Sequence, residues 1–202
     1  MKQSITFMRR MDFWVGIPIC WFLSLFHGMW AIAARFRRSR TSPVRNILFV
    51  ELFEKGSAIL AYSALTKVPQ LFPDAHTFFL IFEHNKDSVH VLRLLPRDNV
   101  LTIRNDSFFS FCRDTLAAIV RMKRLRIDTV IDMELFSRAT SVISALSGAE
   151  RRVGFHGFRN VGLYRGTLLT HKVAYNPHQH IAVNFLNLVH ALDAPPGETP
   201  ML

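Results

Sequence analysis

The segment Glu51-Leu52-Phe53-Glu54-Lys55-Gly56-Ser57 sets two carboxylates, a cation, a glycine and a hydroxyl side by side. A glycine where a strand turns into a helix lets the backbone approach a ligand, and the helix N-terminus behind it offers N–H groups to an anion. Glu51 or Glu54 can serve there as a general base that takes a proton from a hydroxyl. Lys55, Gly56 and Ser57 would then line the substrate. A plain turn capped by Ser57 explains the same residues about as well. One glycine is neither a dinucleotide fingerprint nor a phosphate-binding loop.

Further along, Asp132 and Glu134 close an apolar run, where a carboxylate can reach a crevice at the end of a strand. Arg151, Arg152, Arg159 and Arg165 surround a glycine-containing stretch. They can hold a phosphorylated or acidic acceptor, or simply be solvated. His178 and His180 are two apart, which does not place both on one helix face, so no metal site is expected. His180 either faces the crevice from a helix start or belongs to a surface cap. The two cysteines, Cys20 and Cys112, are too few for a disulfide scaffold or a four-thiolate metal site, and neither has the surroundings of a nucleophile.

The elements that must position these residues alternate. From Asn46 onward, apolar runs suited to buried parallel strands (46–50, 75–82, 99–103, 127–133 and 151–155) are separated by helical patterns (57–67, 87–95, 108–123, 137–146 and about 177–192). That order predicts a doubly wound α/β domain, Rossmann-like, over residues 46–202. In such sheets ligands bind beyond the carboxyl ends of the strands. The loop after the first strand, the end of the fourth and the stretch after the fifth are therefore the predicted site.

Residues 1–45 form a separate region. The chain of 202 residues carries a net charge of +10. Lys2, Arg9, Arg10, Arg35, Arg37, Arg38, Arg40 and Arg45 against Asp12 put +7 of it here and leave +3 for the domain. A nucleic-acid-binding domain would carry its own basic patch. Arg121, Lys123, Arg124 and Arg126 read instead as cations complementing a helix C-terminus, so no nucleic-acid partner is expected. Between the arginines, residues 13–34 have no formal charge and include Trp14, Trp21 and Trp30. A helix of that length can span a hydrocarbon core or lie in the interface on anionic headgroups. Ala31-Ile32-Ala33 also has the small-x-small pattern of a signal cleavage site, and a helix packed on the domain remains open. The slightly larger arginine excess after the segment predicts that the domain which follows is cytoplasmic. Ser39–Pro43 reads as a short linker.

RNILFVELFEKGSAILAYSALTKVPQLFPDA resembles the opening of glycosyltransferase family 9, the heptosyltransferases of lipopolysaccharide assembly. IDTVIDMELFSRATSVISALSGAERRVGF resembles a later signature of the same family, with Arg138 on the helix after the fourth strand and Gly148-Ala149 before Arg152-Val153-Gly154-Phe155. MDFWVGIPICWFLSL resembles a prefix carried by a subgroup. The resemblance implies a metal-independent GT-B enzyme whose N-terminal half binds a glycolipid acceptor and whose C-terminal half binds a nucleotide-sugar, ADP-heptose in its well-known members. It makes Lys55, Gly56, Ser57, Asp132, Glu134, Arg138 and His180 candidates for the acceptor side and Glu51 and Glu54 candidates for the base. Ser57 stands where better-known members carry an aspartate, and a serine cannot take the proton unaided. Nothing after Pro195 can build the nucleotide-binding half, so the chain alone is expected not to be a competent transferase but a fragment, a truncated gene product or one half of a split enzyme whose donor-binding half is separate. The competing expectation is a catalytically degenerate, membrane-tethered α/β binding module.

Overall fold

The computed structural model describes residues 14, 16–35, 43–53, 55–135, 137–156, 165, 167–194 and 196–199, with side chains left aside at 26–35, 55, 57, 198 and 199. Seven strands form one sheet: β1 (Asn46–Val50), β2 (His76–Phe82), β3 (Val100–Ile103), β4 (Thr129–Asp132), β5 (Arg151–His156), β6 (His171–Ala174) and β7 (Gly197–Thr199). Every pairing is parallel, and the order is β3-β2-β1-β4-β5-β6-β7. The helices are α1 (Gly16–Arg35), α2 (Lys55–Leu60), α3 (Tyr62–Leu71), α4 (Lys86–Val91), α5 (Phe108–Arg124), α6 (Arg138–Leu146) and α7 (Ile181–His190).

The apolar runs form central strands because both faces of the sheet are covered. In β1, Ile47 and Phe49 enter one core with Ala58, Ala61, Ala64 and Val68 of the α2–α3 segment and Phe185 and Leu188 of α7. Leu48 and Val50 enter the opposite core with Ala118, Ile119 and Met122 of α5 and Ile143 of α6. Burying each such aliphatic or aromatic side chain stabilises by about 1.5–3 kcal/mol. Asp128 sets the start of β1: its Oδ2 accepts the N–H groups of Arg45 at 3.0 Å and Asn46 at 2.8 Å.

The helix ends follow local chemistry. Ser107 caps α5 by accepting the Ser110 N–H, and the Ser110 hydroxyl accepts the Ser107 N–H in return. Ser107→Ala is expected to cost about 1 kcal/mol, read as a drop of about 2–4 °C in Tm by calorimetry. An unchanged Tm would mean that the cap contributes nothing. Gly148, at φ +83°, closes α6 in the left-handed conformation that glycine reaches without strain.

Two differences from the sequence pattern stand out. The single helix expected at 57–67 is two helices meeting at Ala61, and Pro69 lies within the last turn of α3 rather than beyond it. Strands β6 and β7 were not legible. They are four and three residues long, and β6 carries His171 and Lys172. Such short segments become strands because a neighbouring edge offers pairing, not through their own propensity.

α1 is part of this layer. Its inner side meets α6 where Gly16 lies against Arg138: a Cβ on Gly16 would sit 3.1 Å from the arginine Cδ and 3.2 Å from its Cβ. Cys20 is fully buried, and the Ser24 hydroxyl accepts the Thr167 N–H at 3.0 Å. α1 thus flanks α6 on the side of the β5–β6 crossover, while α5 flanks it on the side of β2 and β3. Among the described residues, no helix is long and apolar enough to cross a membrane.

Candidate functional site

Strand order reverses in sequence between β1 and β4, the topological switch point at which open parallel sheets form a ligand crevice. Val50 pairs with Asp132 there, and the Met133 N–H continues the ladder to the Val50 carbonyl at 3.0 Å. The register therefore brings together the two carboxylate-bearing ends singled out above. Glu51 follows β1, and Asp132 and Glu134 end and follow β4.

Glu134 holds the β1–α2 loop. Its Oε1 accepts the N–H groups of Leu52 at 2.9 Å and Phe53 at 2.8 Å, and the Asn85 amide donates to the Leu52 carbonyl at 3.3 Å from the end of β2. Glu51 is only 2% exposed and is hydrogen-bonded through its side chain to Glu134. Burial pushes the Glu134 carboxyl up to about 7; the loop N–H groups and Glu51 oppose the rise, and the neighbouring Asp132 charge adds to it. A hydrogen bond between two carboxyl groups out of water needs a proton on one of them, and burial favours the uncharged form of Glu134.

Asp132 lies deeper and is fully buried. Its Oδ2 accepts the hydroxyls of Thr140 and Ser141, each at 3.0 Å, and its Oδ1 accepts the Glu134 N–H at 3.2 Å. Arg165 stands 3.7 Å away. The same guanidinium donates to the Phe155 carbonyl at 3.3 Å and to the Glu134 carbonyl. Burial raises the Asp132 carboxyl, and Arg165 and the two hydroxyls pull it back. Arg165 thereby ties the end of β5 to the loop after β4. Gly154 makes room for this packing, since a Cβ there would meet Leu169 Cδ2 at 3.0 Å.

The other predicted residues are distributed as follows. Gly56 is exposed, with open space where its Cβ would be. Lys55 and Ser57 lie in the first turn of α2. Glu54 and Arg159 lie outside the described residues. Arg138 opens α6 next to the carboxyl cluster, but it is buried beneath α1. His180 caps α7, its Nδ1 accepting the Ala182 N–H at 3.2 Å. Arg152 is a structural residue: it donates to the carbonyls of Leu168 and Ala149 from a buried position. Thr140 and Ser141 escaped the sequence reading. Their one signal is a hydroxyl pair in the first turn of the helix that follows a strand-terminal aspartate. Among the described residues, no group of three His, Cys, Asp or Glu side chains is disposed to hold a metal ion.

The chain can now be compared with known proteins. No family model matches the sequence, and no curated protein matches it. Solved structures do match its fold. A family 9 glycosyl transferase from Veillonella parvula is 17% identical with a TM-score of 0.62, covering 74% of this chain and 41% of that one. The E. coli heptosyltransferase WaaC with ADP is 16% identical with a TM-score of 0.60, covering 77% and 50%. E. coli ADP-heptose lps heptosyltransferase II is 11% identical with a TM-score of 0.56, covering 79% and 45%. The Rossmann-like fold is therefore one shared with glycosyltransferases of family 9, and the chain spans half or less of those proteins' length.

Proposed function

We propose that this chain is the acceptor-side half of a membrane-associated glycosyltransferase. The complete enzyme transfers a sugar, heptose from ADP-heptose, to a lipopolysaccharide or another cell-surface glycan. The observation that carries the reading is the carboxyl cluster at the β1/β4 switch point, in a fold shared with heptosyltransferases. Sugar transfer to a hydroxyl needs a base that meets the acceptor proton at about 2.6–3.2 Å. Glu51, buried and bonded to Glu134, is poorly placed to do so. Glu54 follows three residues later in the sequence, and we assign the base to it. Glu134 keeps the loop in place by accepting the N–H groups of Leu52 and Phe53, and Glu51 is bonded to Glu134. Lys55, Gly56 and Ser57 at the start of α2 are assigned to acceptor binding, and the nucleotide-sugar to the donor-binding half. The apolar, arginine-flanked N-terminal region keeps the site at the cytoplasmic face of the inner membrane, where a glycolipid acceptor resides.

Titration calorimetry tests the division of labour. The chain is expected to bind delipidated core oligosaccharide and to show no ADP-heptose binding in the micromolar range. Micromolar ADP-heptose binding without glycan binding would overturn it. In an enzyme completed by its donor half, Glu54→Gln is expected to lower kcat by about 10²–10⁴-fold, whereas Ser57→Ala leaves the base intact and changes kcat far less. Full turnover in Glu54→Gln would remove the base assignment.

A further inference from the structure

On a surface helix of a globular domain, the side opposite the core is expected to be polar. α1 and α5 both depart from this, and with the same spacing. Trp14, just ahead of α1, and Pro18, Trp21 and Leu25 along it recur at i, i+4, i+7 and i+11, opposite the inward-facing Gly16 and Cys20. All four are exposed, Trp14 to 74%, and Phe22 beside them is exposed as well. Phe109, Arg113, Leu116 and Val120 recur at i, i+4, i+7 and i+11 along α5, opposite the core-facing Ala118 and Met122. Phe109 is 78% exposed and Leu116 63%.

The two stripes belong to one side of the molecule. α5 and α6 share a core on the same face of the sheet, and α1 packs along the other flank of α6. α6 itself is mostly buried between them. The charges beside the stripes are cationic. Arg113 sits within the α5 stripe, Lys123 and Arg124 border it, and all three are exposed. Its one acidic residue, Asp114, is engaged by Arg104 at 2.7 Å and Arg113 at 3.0 Å. The region that contains α1 holds eight basic residues and one acidic residue. Large apolar side chains, tryptophans among them, set in a cationic field match an anionic bilayer surface. There the apolar atoms reach the acyl boundary and the arginines and lysines meet headgroups. A second copy of this cationic face would repel the first.

We infer that α1 and α5 together form a two-legged docking face that lies flat on an anionic lipid surface, with α6 recessed between them. The inference rests on the membrane attachment proposed above and adds the second leg and the orientation. α1 lies along the domain with its inner side packed on α6, so it meets the bilayer with its long side parallel to the surface rather than as a spanning segment.

Flotation of the full chain with vesicles tests this, using phosphatidylglycerol-containing vesicles against pure phosphatidylcholine. The wild-type chain is expected to float with the anionic vesicles and to be released by raised salt. Leu116→Glu with Val120→Glu in α5, and Trp21→Glu with Leu25→Glu in α1, are each expected to weaken partition by about tenfold or more. Lys123→Glu with Arg124→Glu should lower it on anionic vesicles alone. These positions face outward, so an unchanged circular dichroism spectrum and Tm accompany the expected loss. Undiminished binding by the α5 pair would overturn the two-legged face and leave α1 as a sole anchor. Absence of vesicle binding would overturn it too, as would a dimer in light scattering that the α5 pair dissociates. The vesicles contain neither sugar donor nor acceptor, so failure here leaves the transferase reading standing, and failure of glycan binding leaves this inference standing.

Discussion

Arg165→Met is expected to destabilise the chain by about 3–5 kcal/mol, the range found when one partner of a buried ion pair is removed. The change takes a cation from a site where Asp132 is fully buried and leaves that carboxylate with two hydroxyls and one N–H. It also strands the carbonyls of Phe155 and Glu134 that the guanidinium serves. For a domain of this size the loss corresponds to roughly 10 °C in Tm. Methionine keeps much of the volume, so the effect is electrostatic rather than a cavity. The double variant Asp132→Asn with Arg165→Met tests the cause, because the asparagine carries no charge to strand. It is expected to recover a large part of the loss, and the double-mutant cycle measures the coupling. Additive effects would show that the two side chains act independently and that the site is held together by other contacts.

The second large effect is a pH dependence located at Glu134. Its folded-state pKa is raised to about 7 from an ordinary 4.5. A raised acid binds its proton more tightly in the folded state. Its stabilising contribution is therefore complete below the unfolded value and is lost as pH rises through the folded one. Stability is therefore expected to fall between pH 4.5 and 7 as the proton held at this site is lost. Asp132, also raised, adds in the same direction. His171, held low by burial, opposes it below pH 6.5, where the unfolded imidazole binds its proton first. Glu134→Gln keeps an oxygen for the Leu52 and Phe53 N–H groups and removes the proton from the balance. At pH 8 the variant is expected to be more stable than wild type, and at pH 5 nearly equal to it. Thermal unfolding of both chains at a series of pH values reads this directly. Parallel curves would sink the assignment of the dependence to Glu134.

The two effects share a geometry that local sequence reveals only in part. Glu51, Asp132 and Glu134 attract notice as carboxylates at the ends of apolar runs, because such runs become parallel strands and their carboxyl ends line a crevice. That they touch depends on register. Val50 faces Asp132 and not a residue further along, and a slip of one position would send Asp132 to the opposite face of the sheet. Whether Glu51 meets solvent or another carboxyl was equally beyond the reach of spacing. Arg165 reads in sequence as one of several arginines able to hold an acidic ligand. In the fold it is the buried cation that binds β4 to β5. The shift from ligand-holder to structural tie is a matter of burial, which sequence position does not encode.

The N-terminal region divides the same way. Composition alone establishes an uncharged stretch between arginines, carrying most of the basic excess. Packing decides which side of that helix is covered, because Gly16 admits the stem of Arg138 and turns Trp14, Trp21 and Leu25 outward. By itself the sequence determined the alternation of strand and helix, the two-sided burial of β1 and the carboxylates at the strand ends, since these follow from hydrophobic periodicity within a few residues. Only the tertiary structure decided which acids touch, which arginines are buried, where β6 and β7 join the edge and how α1 lies. Each of those depends on partners tens of residues away in the chain, and long-range contacts are set by the packing of the whole sheet rather than by any local pattern.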